Sequence, residues 1–229
     1  MRILLQPAYI LHHRPYRETS VLLELFTRDH GRLSAVARGV RQPRSRLRAL
    51  LQPFLPLLVS WQQGQSELVT LTAAESPMAT KWLQGECLLS GFYLNELLIR
   101  TVAKHDPHPE LYTIYQNTLL ELQERSALKK SLRLFEKKLL EQIGYGLTAE
   151  AFEDHAYYQF HPETGFKRYQ GDQDPAAIPT LFSGKNLAAF FAEKDWDEKD
   201  LQMAKRLMRL VLAPLLGPPL KSRQLFIRG

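Results

Sequence analysis

A chain of 229 residues, 45% hydrophobic and 24% charged, has the composition of an ordinary globular protein with one large domain or two small ones. Its net charge of +6 and pI near 9.4 point to polyanionic partners, either nucleic acid or an anionic membrane surface. The one cysteine, Cys87, excludes an intramolecular disulfide and a multi-cysteine zinc site, and no stretch approaches the roughly 18 apolar residues of a membrane span.

The opening MRILLQPAYI is too short an apolar run for a secretory signal, so a cytoplasmic location is expected. Residues 1–78 read as short strands. Ala8–His12 and Ser20–Thr27 are β-rich runs, and the turn Arg28–Gly31 leads into Arg32–Ala37, with Gly31 free to take positive φ. Leu50–Trp61 and Glu67–Ala74 complete the set, and Pro53 and Pro56 push the start of the former to an edge or bulge. About five strands with one long basic connection suit a small Greek-key barrel of the OB type; an SH3-like barrel fits nearly as well.

That connection concentrates the charge. The window 28–48 holds Arg28, Arg32, Arg38, Arg41, Arg44, Arg46 and Arg48 against the single Asp29, a net +6 that equals the charge of the whole chain. Arginine matches phosphate oxygens with a planar fork and stacks on bases. Gly39, Pro43 and Ser45 interrupt any helix, which suggests a mobile arm that tracks a nucleic-acid backbone.

Beyond Ser76–Pro77 the pattern turns helical. Lys81–Ala103 is apolar almost all round (Trp82, Leu88, Phe92, Leu97), as a buried central helix would be. His105–Pro109 breaks it, Glu110–Glu124 forms a second helix, and Leu128–Ile143 forms a third that ends at Gly144. The third places Leu128, Leu132, Phe135, Leu139 and Ile143 inward and a basic face of Lys129, Lys130, Arg133, Lys137 and Lys138 outward. Residues 148–183 carry no sustained period and read as an irregular insertion with one hairpin near Tyr158–Tyr169. Helix returns at Lys185–Glu193 and at Glu198–Leu216, the latter with Asp197 as N-cap and Lys205, Arg206 and Arg209 on its polar side. The tail GPPLKSRQLFIRG reads as extended and basic.

Catalytic patterns are few. No Gly-rich run ends in Gly-Lys-Ser/Thr, and Ser183-Gly184-Lys185 reads as a helix start. Glu153, Asp154, His155 and His161 are ligand types in a loop without tetrahedral spacing, and read as surface. His12 and His13 adjoin in a strand, so they face opposite ways, and Cys87 reads as a small buried hydrophobe. Tyr16, Phe26, Phe54 and Trp61 are candidates for base stacking, each read first as core. No catalytic residue, cofactor or metal is expected.

Taken together, AYILHHRPYRETSVLLELFTRDHGRLSAVARGVR, LLQPFLPLLVSW, GFYLNELLIR, FEKKLLEQIGYG and PLKSRQLF resemble RecO, a bacterial family of recombination mediators and DNA-repair proteins. The resemblance implies an α+β chain: an N-terminal OB-fold (1–78), a helical domain (79–147), a zinc-finger-like insertion (148–183) and C-terminal helices that return to the helical domain (184–229). The family's zinc cysteines are absent, so packing or hydrogen bonds must hold the insertion. It implies binding of single- and double-stranded DNA, strand annealing and, with RecR and RecF, loading of RecA onto strands coated by single-stranded DNA-binding protein. The family's basic positions fall on Arg38 and Arg41, extended by Arg32, Arg44, Arg46 and Arg48. The coat protein's acidic C-terminal tail would dock on the third helix, with Arg133 at the family's basic position, Leu132 and Phe135 as pocket wall, and Lys129 and Lys137 as rim. The rival readings are a general OB-type RNA-binding or ribosome-associated module, and a metal-dependent hydrolase built on Glu153, Asp154, His155 and His161.

Overall fold

The computed structural model describes residues 1–77 and 81–222. The expected boundary at 78/79 and the last seven residues of the basic tail lie outside the described residues. The chain divides into two compact units, Met1–Arg125 together with the chain from Pro219, and Ser126–Pro218.

The first unit begins with strands β1 (Arg2–Tyr16), β2 (Ser20–Thr27) and β3 (Gly31–Ala37), a single helical turn α1 (Leu47–Leu50), and strands β4 (Leu57–Gln62) and β5 (Val69–Glu75). They close in the order β1-β2-β3-β5-β4, with β3 and β5 parallel and the other pairs antiparallel. This is the OB barrel rather than the SH3-like alternative. Alternation along the strands turns Ala8, Ile10, Leu23, Leu25, Leu33, Ala35, Leu57, Val59 and Trp61 inward.

β1 is three times the expected length, because its first half pairs with β4 and its second half with β2. Bulges between Ile3 and Gln6 and between Ile10 and His12 let one strand serve both neighbours. Leu5 adopts φ 49° at the first bulge, where its N–H donates to Ser60 Oγ at 3.0 Å. The 50–61 segment is not one strand: Leu47–Leu50 is helical, and β4 starts only after Pro53 and Pro56. Gly31 takes φ 66° as expected, and a Cβ there would collide with the backbone carbonyl of Asp106.

Helices α2 (Gly85–Thr101) and α3 (Pro109–Glu121) complete this unit. Only part of α2 is buried: Tyr93, Leu94, Asn95, Leu97 and Leu98 are inside, whereas Phe92 is exposed, and Trp82, ahead of the helix, is 59% exposed. The expectation of an all-round buried helix therefore fails on one face. On the outer barrel surface Tyr9 and Phe26 meet Tyr112 and Tyr115 of α3 with ring centroids 5.2–6.1 Å apart. Asn95 ties the elements together, donating to the Leu11 carbonyl at 2.8 Å and accepting from Tyr115 Oη at 2.5 Å.

The second unit contains α4 (Leu128–Gln142), β6 (Tyr157–His161), β7 (Gly165–Arg168), β8 (Leu181–Ser183), α5 (Gly184–Ala192) and α6 (Glu198–Leu216). Gly144, at φ 83°, ends α4 as the glycine cap predicts, with Tyr145 N–H returning to the Leu140 carbonyl at 2.8 Å. Asp197 caps α6 in a full capping box with Asp200. The hairpin of the insertion is β6–β7, and β8 adds a third strand to give the order β7-β6-β8. Phe152, Tyr158, Phe160, Phe166, Phe182 and Phe191 fill this module with rings 5.0–6.4 Å apart. Aromatic packing therefore holds the insertion together.

Candidate nucleic-acid interface

The arginine arm follows a hydrogen-bonded path across the barrel surface. Val40, 5% exposed, enters the barrel core and pins it, and Arg41 N–H bonds the Thr19 carbonyl at 2.9 Å. The chain then winds through successive turns, Gln42 to Gly39, Ser45 to Gln42 and Arg48 to Ser45, before α1. This presents Arg38, Arg41, Arg44, Arg46 and Arg48 on the surface, all exposed. Among the described residues none of the five has a carboxylate partner. Arg41 donates to the Arg17 carbonyl at 3.2 Å.

A cavity of about 500 Å³ opens beside the arm, lined by His13, Arg14, Val21, Arg41, Arg48 and Gln52 among others. Arg41 and Arg48 thus converge with Arg14, a residue the sequence did not single out because a lone arginine in a strand carries no pattern. Desolvation, and secondarily the neighbouring His12, push the His13 imidazole below its ordinary value, which favours its neutral form.

Arg32 stands apart from the arm. Its guanidinium pairs with Glu24 at 3.1 Å and donates to the Val102 carbonyl at 3.1 Å, tying β3 to β2 and to the chain after α2. Glu24 also accepts from Ser34 Oγ, which in turn accepts from Lys104 Nζ at 2.7 Å. Of the aromatics proposed for stacking, Phe26, Phe54 and Trp61 are buried and Tyr16 is half-buried beneath Arg17.

The basic face expected on α4 is not uniformly solvated. Arg133 is buried and pairs with the fully buried Glu136 at 2.8 Å, and Lys137 is buried against Glu193 at 2.6 Å and over Phe190 and Phe191. Phe135 is core, Leu132 is half-buried, and Lys129, exposed, pairs with Glu198 at 2.8 Å. Cys87 is half-buried rather than core. Glu153 pairs with Arg168 at 2.8 Å, and among the described residues no three His, Cys, Asp or Glu side chains gather to hold a metal ion. No described helix is long and apolar enough to cross a membrane.

A five-stranded closed barrel with an arginine-rich surface connection, followed by a helical region, defines an α+β protein with an OB-fold domain at its N-terminus. Known proteins make the assignment specific. The family model described as Recombination protein O N terminal matches residues 1–77, and that described as Recombination protein O C terminal matches residues 84–224. The DNA repair protein RecO of Coxiella burnetii (strain RSA 493 / Nine Mile phase I) is 44% identical over 232 residues, 98% of both chains. That of Alkalilimnicola ehrlichii is 45% identical over 237 residues, covering 98% of this chain and 91% of its own. The RecO of Nitrosococcus oceani is 43% identical, covering 98% and 93%. The chain belongs to the RecO family of DNA repair proteins.

Proposed function

We propose that this protein is a non-enzymatic DNA mediator that binds single- and double-stranded DNA and anneals complementary strands. The observation that carries this reading is the row Arg38, Arg41, Arg44, Arg46 and Arg48, exposed on an OB barrel and free of carboxylate partners among the described residues. Cations without carboxylate partners are available to displace the counterions of a phosphate backbone, and neutralising two strands lowers the repulsion that opposes their pairing. Annealing on this account needs no reacting group. With RecR, and with RecF where present, the same binding would help load RecA onto coated strands.

Replacing Arg38, Arg41, Arg44 and Arg46 by Ala tests the arm. Binding should weaken for every DNA sequence, and the slope of log K against log salt should flatten by about 0.7 to 0.9 for each phosphate that is no longer neutralised. An unchanged slope would remove the arm from the interface. Parallel titration with RNA of the same sequence separates this reading from a general RNA-binding module.

For the coat protein's acidic tail, α4 is the proposed seat, supported by the family's basic position at Arg133. Of its cations, Lys129 has the most accessible pair, with 66% and 60% exposure at its partnered ends, and an incoming carboxylate can exchange with Glu198 there at little cost. Annealing of coated oligonucleotides, run with the tail intact and deleted, should depend on the tail and on Lys129. Tail-independent annealing would discard the docking site and leave the DNA-binding arm.

A further inference from the structure

A second, larger opening lies on the same unit as the arm. Beside α2 the outer barrel face runs along β2 as Phe26, Glu24 and Leu22, in register with Arg32, Ser34 and Val36 of β3. Phe26 is sealed beneath α3, but at the other end Leu22 is only half-buried among the described residues. There a groove of about 640 Å³ forms between the strands and α2, with Leu11, Leu22, Phe92 and Ile99 as its apolar surface. That volume is in the range of pockets that hold a small organic ligand. Phe92 is 36% exposed, and its ring meets Phe54 at a steep angle with centroids 5.1 Å apart, so part of its aromatic surface faces solvent.

The charges of the groove divide into used and unused. Glu24 is neutralised by Arg32, and Glu96 by Arg100 together with the Lys221 N–H, the Ser222 N–H and the Ser222 hydroxyl. Arg14 and Lys221 have no carboxylate partner among the described residues. The groove is therefore apolar within and cationic at its rim. Arg14 also lines the cavity of Arg41 and Arg48, so one side chain joins both openings.

We propose that this groove receives unstacked bases of single-stranded DNA, with the backbone carried past Arg14 to the arm. The inference rests on the DNA-binding reading above and adds the group that the arm does not read. Aromatic and aliphatic surface accepts the face of any base without sequence preference, whereas the rim meets the phosphates. A duplex keeps its bases stacked and paired, so it engages the arm alone. The groove thus gives the protein a preference for single strands that charge by itself does not provide.

The test uses the full chain and oligomers of equal charge: an oligothymidylate of about 16 nucleotides, the upper end of OB-fold site sizes, and the same backbone made of abasic residues. The wild type should bind the base-bearing oligomer about tenfold more tightly. Phe92→Leu, which keeps an apolar neighbour for Phe54 but loses the aromatic surface, and Leu22→Gln should each bring the two affinities together without changing the salt slope. Equal wild-type affinity for both oligomers overturns the groove and leaves the arm standing. Discrimination that survives in both variants also overturns it. So does a synthetic peptide of alternating Asp and Leu that saturates the groove without displacing the oligothymidylate. Failure to bind either oligomer removes this inference and the DNA-binding reading together.

Discussion

Glu96 carries more of the first unit than one side chain usually does. Its carboxylate accepts from Arg100 at 2.5 Å, from the N–H groups of Lys221 and Ser222 at 3.0 and 2.8 Å, and from Ser222 Oγ at 2.6 Å. Burial by itself would raise its pKa, but these donors outweigh burial and hold the carboxyl below its ordinary 4.5. A depressed folded-state pKa stabilises the protein fully above the unfolded value and loses that stabilisation as pH falls through the folded one. Glu96→Gln should therefore cost about 2 kcal/mol at pH 7, the scale of hydrogen bonds to a charged group. The gap between variant and wild type in urea unfolding should narrow below about pH 4, where the wild-type carboxyl also loses its charge. A gap that stays constant to pH 3 would show that shape rather than charge anchors Lys221 and Ser222. Arg100 is a local i,i+4 partner, but Lys221 and Ser222 lie 125 and 126 residues away along the chain, so no local pattern announces them.

At the scale of elements, local signals were legible and distant ones were not. β2 and α6 begin and end where the runs SVLLELFT and EKDLQMAKRLMRLVLAPLL predict, because alternation and a capping aspartate are local properties. The length of β1 was hidden, since it depends on which strands flank it. The exposed side of α2 was hidden too, since an apolar helix does not say which of its faces is covered. On α4, Arg133 and Lys137 read as surface cations, yet Glu136 and Glu193 draw them inside, and Glu193 sits 56 residues from Lys137. The insertion packs around a cluster of aromatic rings. Phe166, 5% exposed, touches Phe152, Phe160, Phe182 and Phe191. Truncating it to Ala should destabilise this unit by about 3–5 kcal/mol and open residues 148–183 to protease. A chelator should leave the wild-type melting temperature unchanged, and a drop on adding EDTA would return a metal to the module.

For the whole molecule, the question is whether net charge or its placement governs DNA binding. The chain carries 30 Lys and Arg against 24 Asp and Glu, a net +6, and an argument from pI treats every cation alike. The structure distinguishes them. Arg32, Arg133 and Lys137 serve internal ion pairs, whereas the arm's five arginines have no carboxylate partner among the described residues. Removing four arm arginines takes the net charge from +6 to +2, and so does replacing the exposed Lys81, Lys167, Lys194 and Lys199 by Ala. If long-range attraction dominates, both variants should bind duplex DNA equally weakly at about 50 mM salt. If local counterion release dominates, the arm variant should lose affinity by roughly tenfold or more at about 50 mM salt, with a shallower slope that narrows the gap as salt rises, while the lysine variant keeps the wild-type slope. The second outcome is expected, because screening over about 10 Å at 0.1 M salt isolates dispersed lysines from a bound backbone. Equal losses in the two variants would mean that the arm is merely one part of a diffuse positive surface.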